Sequence, residues 1–129
     1  MKIDGSSVRA YLESIETHFG QTAFNSMLLE RGRDFTPAPL PANIKRRTIK
    51  LCFHNSEWVA KKHGLLYVEG LAISCNTLNL PIHHAWNATE DGTVIDTTWN
   101  PVGTSYFGIV VPQDEWESHQ FKTALGVFA

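Results

Sequence analysis

Three residues in this chain have the side-chain types that amide chemistry uses: the thiol of Cys52, the imidazole of His84 and the carboxylate of Asp96. A thiol attacks a carbonyl carbon as thiolate, an imidazole can take its proton, and a carboxylate can hold that imidazole in one tautomer. Cys52 opens a predicted helix, CFHNSEWVAKKHG, where unpaired amides and the helix dipole favour negative charge. His84 lies in a strand-like stretch, PIHHAWN, and Asp96 in the next, GTVIDTTW. The hairpin signal Glu90-Asp91-Gly92 separates the two stretches. If the turn is centred there, His84 and Asp96 stand near-opposite on paired strands, within reach of one hydrogen bond. Asp96 has a second use, as cap of the TTW turn that follows it. His83 competes with His84. Neighbours on a strand point to opposite faces, so only one is expected to meet a cleft, and periodicity does not choose between them. Adjacent histidines with a cysteine and an aspartate also suit zinc. The chain has no Cys-x-x-Cys and no His-x-x-x-His at ligand spacing, so neither metal nor cofactor is expected.

The elements that must position these residues follow from patterning. Val8, Tyr11, Leu12, Ile15 and Phe19 make one apolar stripe of a helix over 7–19, ended by Gly20. A second helix covers 21–30, with Phe24, Met27 and Leu28 inward. Residues 31–43 carry Pro37, Pro39 and Pro41, which rule out regular helix or a central strand. This loop holds Phe35 and Leu40 to dock on the core, and it is placed to wall one side of a cleft. The Cys52 helix runs to His63 and is stopped by Gly64. Phe53, Trp58, Val59 and Ala60 spread apolar surface around it, so it should be buried on several sides against a sheet. Strands are predicted at 65–74, 82–89, 93–99 and 105–111, and a closing helix at 112–128, with Pro112 near its first turn. Helices followed by a run of strands mean an α+β fold with an antiparallel sheet.

The whole chain bounds the reading. Its 129 residues are one domain's worth, helical over 1–63 and sheet over 65–111, and long enough to need no disulfide or metal staple. It is 43% hydrophobic and 19% charged with a net charge of −2, which argues against nucleic-acid or anionic-membrane partners. The one dense basic run, Lys45-Arg46-Arg47 extended by Lys50, is short and reads as a solvated stretch before the Cys52 helix more readily than as a phosphate site. The amino-terminal residues lack an apolar leader, and no apolar run approaches a membrane span, so a reducing cytoplasmic setting with Cys52 and Cys75 as free thiols is expected.

A cysteine opening a helix, then Tyr67-Val68-Glu69-Gly70 on a strand, then His84-Ala85-Trp86, then Asp96-Thr97-Thr98 after a hairpin, resembles the transglutaminase-like superfamily of papain-fold cysteine enzymes. The resemblance covers 52–108. It implies a minimal papain-like core, with the Cys-bearing helix packed on the sheet, and it selects His84 over His83. It implies a Cys52–His84–Asp96 triad that forms a thioester on a peptide, protein or small amide substrate. Water as acceptor gives a peptidase, amidase or deamidase; an amine gives transglutaminase-type transfer. The sequence departs from the family at Thr97, where proline is usual, and at Glu69, where serine is usual. Glu69, Asn55 and Trp86 are the candidate substrate contacts. The backbone N–H of Cys52 would give one oxyanion donor, and no upstream side chain is assigned as a second. The superfamily also holds members without catalysis. A binding module of that kind, phage- or mobile-element-encoded for example, would use Trp86, Trp99, Tyr106 and Phe107 to line a groove.

Overall fold

The computed structural model describes residues 7–19, 23–75 and 80–117. Two helices come first, α1 (Val8–Phe19) and α2 (Ala23–Arg31), then a short strand β1 (Arg33–Phe35) and the helix α3 (Cys52–His63). Strands β2 (Leu66–Ile73), β3 (Pro81–Ala88), β4 (Val94–Ile95) and β5 (Ser105–Val110) follow, and the short helix α4 (Gln113–Glu117) comes last. The strands form one five-stranded antiparallel sheet in the order β1-β5-β2-β3-β4. The fold is therefore mixed α+β. No helix among the described residues is long and apolar enough to cross a membrane.

Strand alternation divides the apolar side chains between the two faces of the sheet. Tyr67, Ile73, Ala85, Phe107 and Ile109 face Val8 and Leu12 of α1 and Leu28 of α2. Val68, Ala72, Trp86, Ala88 and Tyr106 face the other way, against Phe35, Val94, Trp99 and Val102. One face is thus covered by helices and the other by the segments around residues 35 and 94–102.

Two glycines allow the centre of the sheet to close. Gly70 and Gly108 are cross-strand partners of β2 and β5. A Cβ on Gly70 would stand 2.2 Å from the Phe107 carbonyl oxygen, and one on Gly108 would stand 2.8 Å from the Trp86 ring. The bare backbone there is what lets the Trp86 indole lie across the sheet.

The elements depart from the sequence expectations at identifiable places. The segment 31–43 is not all loop: Arg33–Phe35 pairs with β5 as an edge strand, and the prolines follow it. The expected strand over 93–99 shrinks to Val94–Ile95, because Asp96 turns its carboxylate onto the backbone ahead and ends the ladder. The closing helix is described only to Glu117; the rest of the predicted 112–128 span lies outside the described residues, as do residues 76–79 of the turn or short loop that the sequence suggests over 76–81.

Candidate active site

Cys52 is the first residue of α3, and the backbone turns sharply to present it. Lys50 has φ 68°, a left-handed conformation that costs a non-glycine residue about 1 kcal/mol or more. Leu51 occupies the N-cap and gives no side-chain hydrogen bond, so no capping side chain takes the first-turn amides beside the thiol. The other end of α3 is closed by Gly64 in the left-handed conformation, its N–H donated to the Ala60 carbonyl.

Asn55, one turn into α3, locks this entry. Its amide donates to the Thr48 carbonyl at 2.7 Å and to Thr98 Oγ1 at 3.0 Å, and its Oδ1 accepts from Arg47 Nε at 3.4 Å. Asn55 thus ties the segment before Cys52 to the segment after Asp96. Deeper in the helix, the Asn87 amide of β3 donates to the Ser56 and Leu66 carbonyls and fixes α3 on the sheet.

His84 projects from β3 on the face opposite the helix-covered core, fully buried. Its Nε2 lies 2.9 Å from Asp96 Oδ2. The Cys52 thiol is close enough to act on the same ring, and with Nε2 engaged by Asp96 the nitrogen left for it is Nδ1. The three side chains named from the sequence are therefore in one place, the imidazole between thiol and carboxylate. The pairing differs from the expected one. In the β3–β4 register His84 would stand across from Thr98 and Asp96 across from Trp86, so His84 and Asp96 meet on the diagonal, past the end of β4. Asp96 also serves its turn. Oδ2 faces His84 and accepts the Tyr106 hydroxyl at 2.7 Å, while Oδ1 accepts the Thr98 and Trp99 N–H groups at 2.9 and 3.1 Å.

Electrostatics follow from this geometry. Burial alone would lower the His84 pKa, but the hydrogen bonds to Asp96 and Cys52 outweigh it and the net direction is up. Burial would raise the Asp96 pKa, but the bonds from His84, Tyr106 and the Trp99 amide hold it below the usual carboxylate range. An indole covers the imidazole: the rings of His84 and Trp99 stack at 3.8 Å with 13° between planes, which favours the imidazolium.

A cleft of about 530 Å³ opens onto Cys52 and His84, with walls from Ile49, Lys50, Phe53, Ile82, Trp99 and Pro101. His83 lines it too, contrary to the expectation that only one of the adjacent histidines would. Among the described residues, Pro81 to Trp86 of β3 pairs with no strand on the β4 side, and the cleft lies along that edge. His83 faces the helices, edge-on to Phe24 and Phe53. Burial, and then the nearby His84 charge, push its pKa down. The proline loop does not wall this cleft. Pro37, Pro39 and Leu40 line a neighbouring hollow of about 450 Å³ that meets it at Asn100 and Pro101, which are joined by a cis peptide bond.

The three candidate substrate contacts need correction, because Asn55, Glu69 and Trp86 are each at most 1% exposed and none lines the cleft. Asn55 is engaged as described above, and Trp86 is core. Glu69 neither faces solvent nor meets the cleft; it accepts the Tyr67 hydroxyl at 2.6 Å inside the sheet. Burial, and then the Glu69 charge, hold that phenol protonated far above its ordinary range. Tyr106 has a role that sequence reasoning did not assign. Its place on Asp96 depends on the long-range β2–β5 pairing, for which a single sequence carries no signal.

Among the described residues no group of three or more His, Cys, Asp or Glu side chains is arranged to hold a metal ion. Comparison of the chain with family models, characterised proteins and solved structures finds no match.

Proposed function

We propose that the protein performs thiol-dependent amide chemistry, as a minimal transglutaminase-like member of the papain-fold cysteine enzymes. The observation that carries the reading is the buried His84 ring, held by Asp96 at 2.9 Å and sharing the lining of one open cleft with the Cys52 thiol that acts on it. Cys52 attacks the carbonyl carbon of an amide and His84 takes the thiol proton. The tetrahedral oxyanion is met by backbone N–H groups at the start of α3, which no side chain caps. His84 returns the proton to the leaving amine, and a thioester remains. Water or a second amine then attacks the thioester, giving hydrolysis or transfer. Asp96 orients the ring and stabilises the imidazolium throughout. Of the four aromatic residues expected to line a binding groove, Trp86, Tyr106 and Phe107 are core, and Trp99 lines the same cleft as Cys52 and His84.

The test compares two thiols in one molecule. Cys52 lies half-buried beside His84, whereas Cys75 is exposed. A thiol-directed electrophile should label Cys52 faster than Cys75 at neutral pH, despite its lower exposure. His84→Ala should slow Cys52 labelling at least tenfold and leave Cys75 unchanged. Equal labelling of the two thiols, or no effect of His84→Ala, would end this reading.

A further inference from the structure

The basic run singled out in the sequence lines a second cavity that the site above does not use. Its volume is about 290 Å³, and it lies between the segment 43–47 and the far half of α3. Lys45, Arg46 and Arg47 come from the segment, and Lys62 and His63 from the last turn of the helix. Among the described residues no carboxylate lines it. This concentration of positive charge occurs on a chain whose net charge is −2.

Arg46, Arg47 and Lys62 are held by neighbouring groups. Arg46 Nη1 donates to the Trp99 carbonyl at 2.7 Å. Arg47 donates its backbone N–H to the Thr97 carbonyl at 2.8 Å and its Nε to Asn55, and its guanidinium lies 3.9 Å over the Trp58 ring. Lys62 Nζ stands 5.0 Å from the same ring. Each guanidinium has five N–H donors in a rigid fork, so the single side-chain bond anchoring it leaves donors for a ligand. Ordering like charges around one hollow is unfavourable unless an anion relieves it. The residue types select the anion: arginine forks match phosphate oxygens bidentately, and lysine adds a point charge. The shape selects its size. A nucleic-acid backbone needs an extended positive track, and a net negative chain repels a long polyanion. A small concave site takes a compact one.

We infer that this cavity, built from Lys45, Arg46, Arg47, Trp58, Lys62 and His63, is a binding site for a compact phosphate-type anion, either free or as the diphosphate group of a small molecule.

Calorimetric titration of the full chain with inorganic pyrophosphate, at constant ionic strength, tests it. Saturable one-to-one binding is expected, weakened at least tenfold in the Lys45→Gln/Lys62→Gln double variant. Lys61→Gln should bind as the wild type, because Lys61 points to Glu57 instead, at 3.7 Å. Should the double variant not fold, each single variant is expected to weaken binding at least threefold. A parallel titration with adenosine diphosphate separates the sources. Equal affinity assigns recognition to the diphosphate alone, and tighter binding assigns it to a carrier molecule as well. Absence of saturable pyrophosphate binding overturns the inference. So does equal binding by the folded lysine variants, or tighter binding of a ten-nucleotide single strand, which would make the face a nucleic-acid track.

Discussion

Asp96 accepts four hydrogen bonds through two oxygens, and the division between them defines the chemistry at the residue scale. One oxygen orders the turn and the other serves His84 and Tyr106. Asp96→Asn keeps the shape and removes the charge. Burial then dominates at His84, and its pKa should fall below its ordinary value of about 6.5 instead of lying above it. An NMR titration of the ring measures this, and an unchanged midpoint would show that Asp96 is not what sustains the raised pKa. Tyr106→Phe deletes the hydroxyl that donates to Asp96 and accepts the Gly103 N–H at 2.7 Å. With a buried carboxylate oxygen and a buried amide each losing a partner, urea denaturation should show a loss of about 1–3 kcal/mol.

At the scale of elements, the site depends on how β2, β3 and β5 approach one another. Gly70→Ala would drive a Cβ into the Phe107 carbonyl and the Gly108 Cα, which are backbone atoms and cannot step aside like a flexible side chain. Separation of β2 from β5 is the only relief, and a loss of about 3 kcal/mol is expected in denaturant titration. Gly64→Ala makes the contrast. Nothing stands within 4 Å of a Cβ there, and only the left-handed φ of 66° opposes it, so about 1 kcal/mol is expected.

For the molecule as a whole, the His84–Asp96 pair makes stability depend on pH in two directions. His84 has a raised folded pKa. Its contribution is complete below the unfolded value and is lost as pH rises through the folded one. Asp96 has a depressed folded pKa. Its contribution is present above the unfolded value and is lost as pH falls through the folded one. The wild-type Tm should therefore fall on both sides of a plateau between ordinary aspartate and histidine titration. His84→Gln should lose the alkaline-side decline that comes from this group. Thermal unfolding of both proteins from pH 3 to pH 9 checks it. A decline of equal size and midpoint in the variant would assign the alkaline effect elsewhere. The exposed Arg9–Asp34 pair, which links α1 to β1 at 2.8 Å, should matter far less, with Arg9→Ala costing about 1 kcal/mol or less.

The sequence by itself determined the Cys52 helix and the β3–β4 turn, but not the edge strand β1 or the length of β4. α3 begins at Cys52 and ends at His63 as its apolar spread and Gly64 require, and the β3–β4 turn falls at Glu90-Asp91-Gly92, because helix periodicity and turn chemistry are encoded within a few residues. It also held the residue types Cys52, His84 and Asp96. Only the tertiary structure decided their relations. The diagonal His84–Asp96 contact, the arrival of Tyr106, the inward turn of Asn55 and Glu69, and the cleft along the β4-side edge of β3 all depend on strand order and on where β4 stops. Those are set by long-range packing between segments far apart in the chain, and a single sequence records no pairing between them.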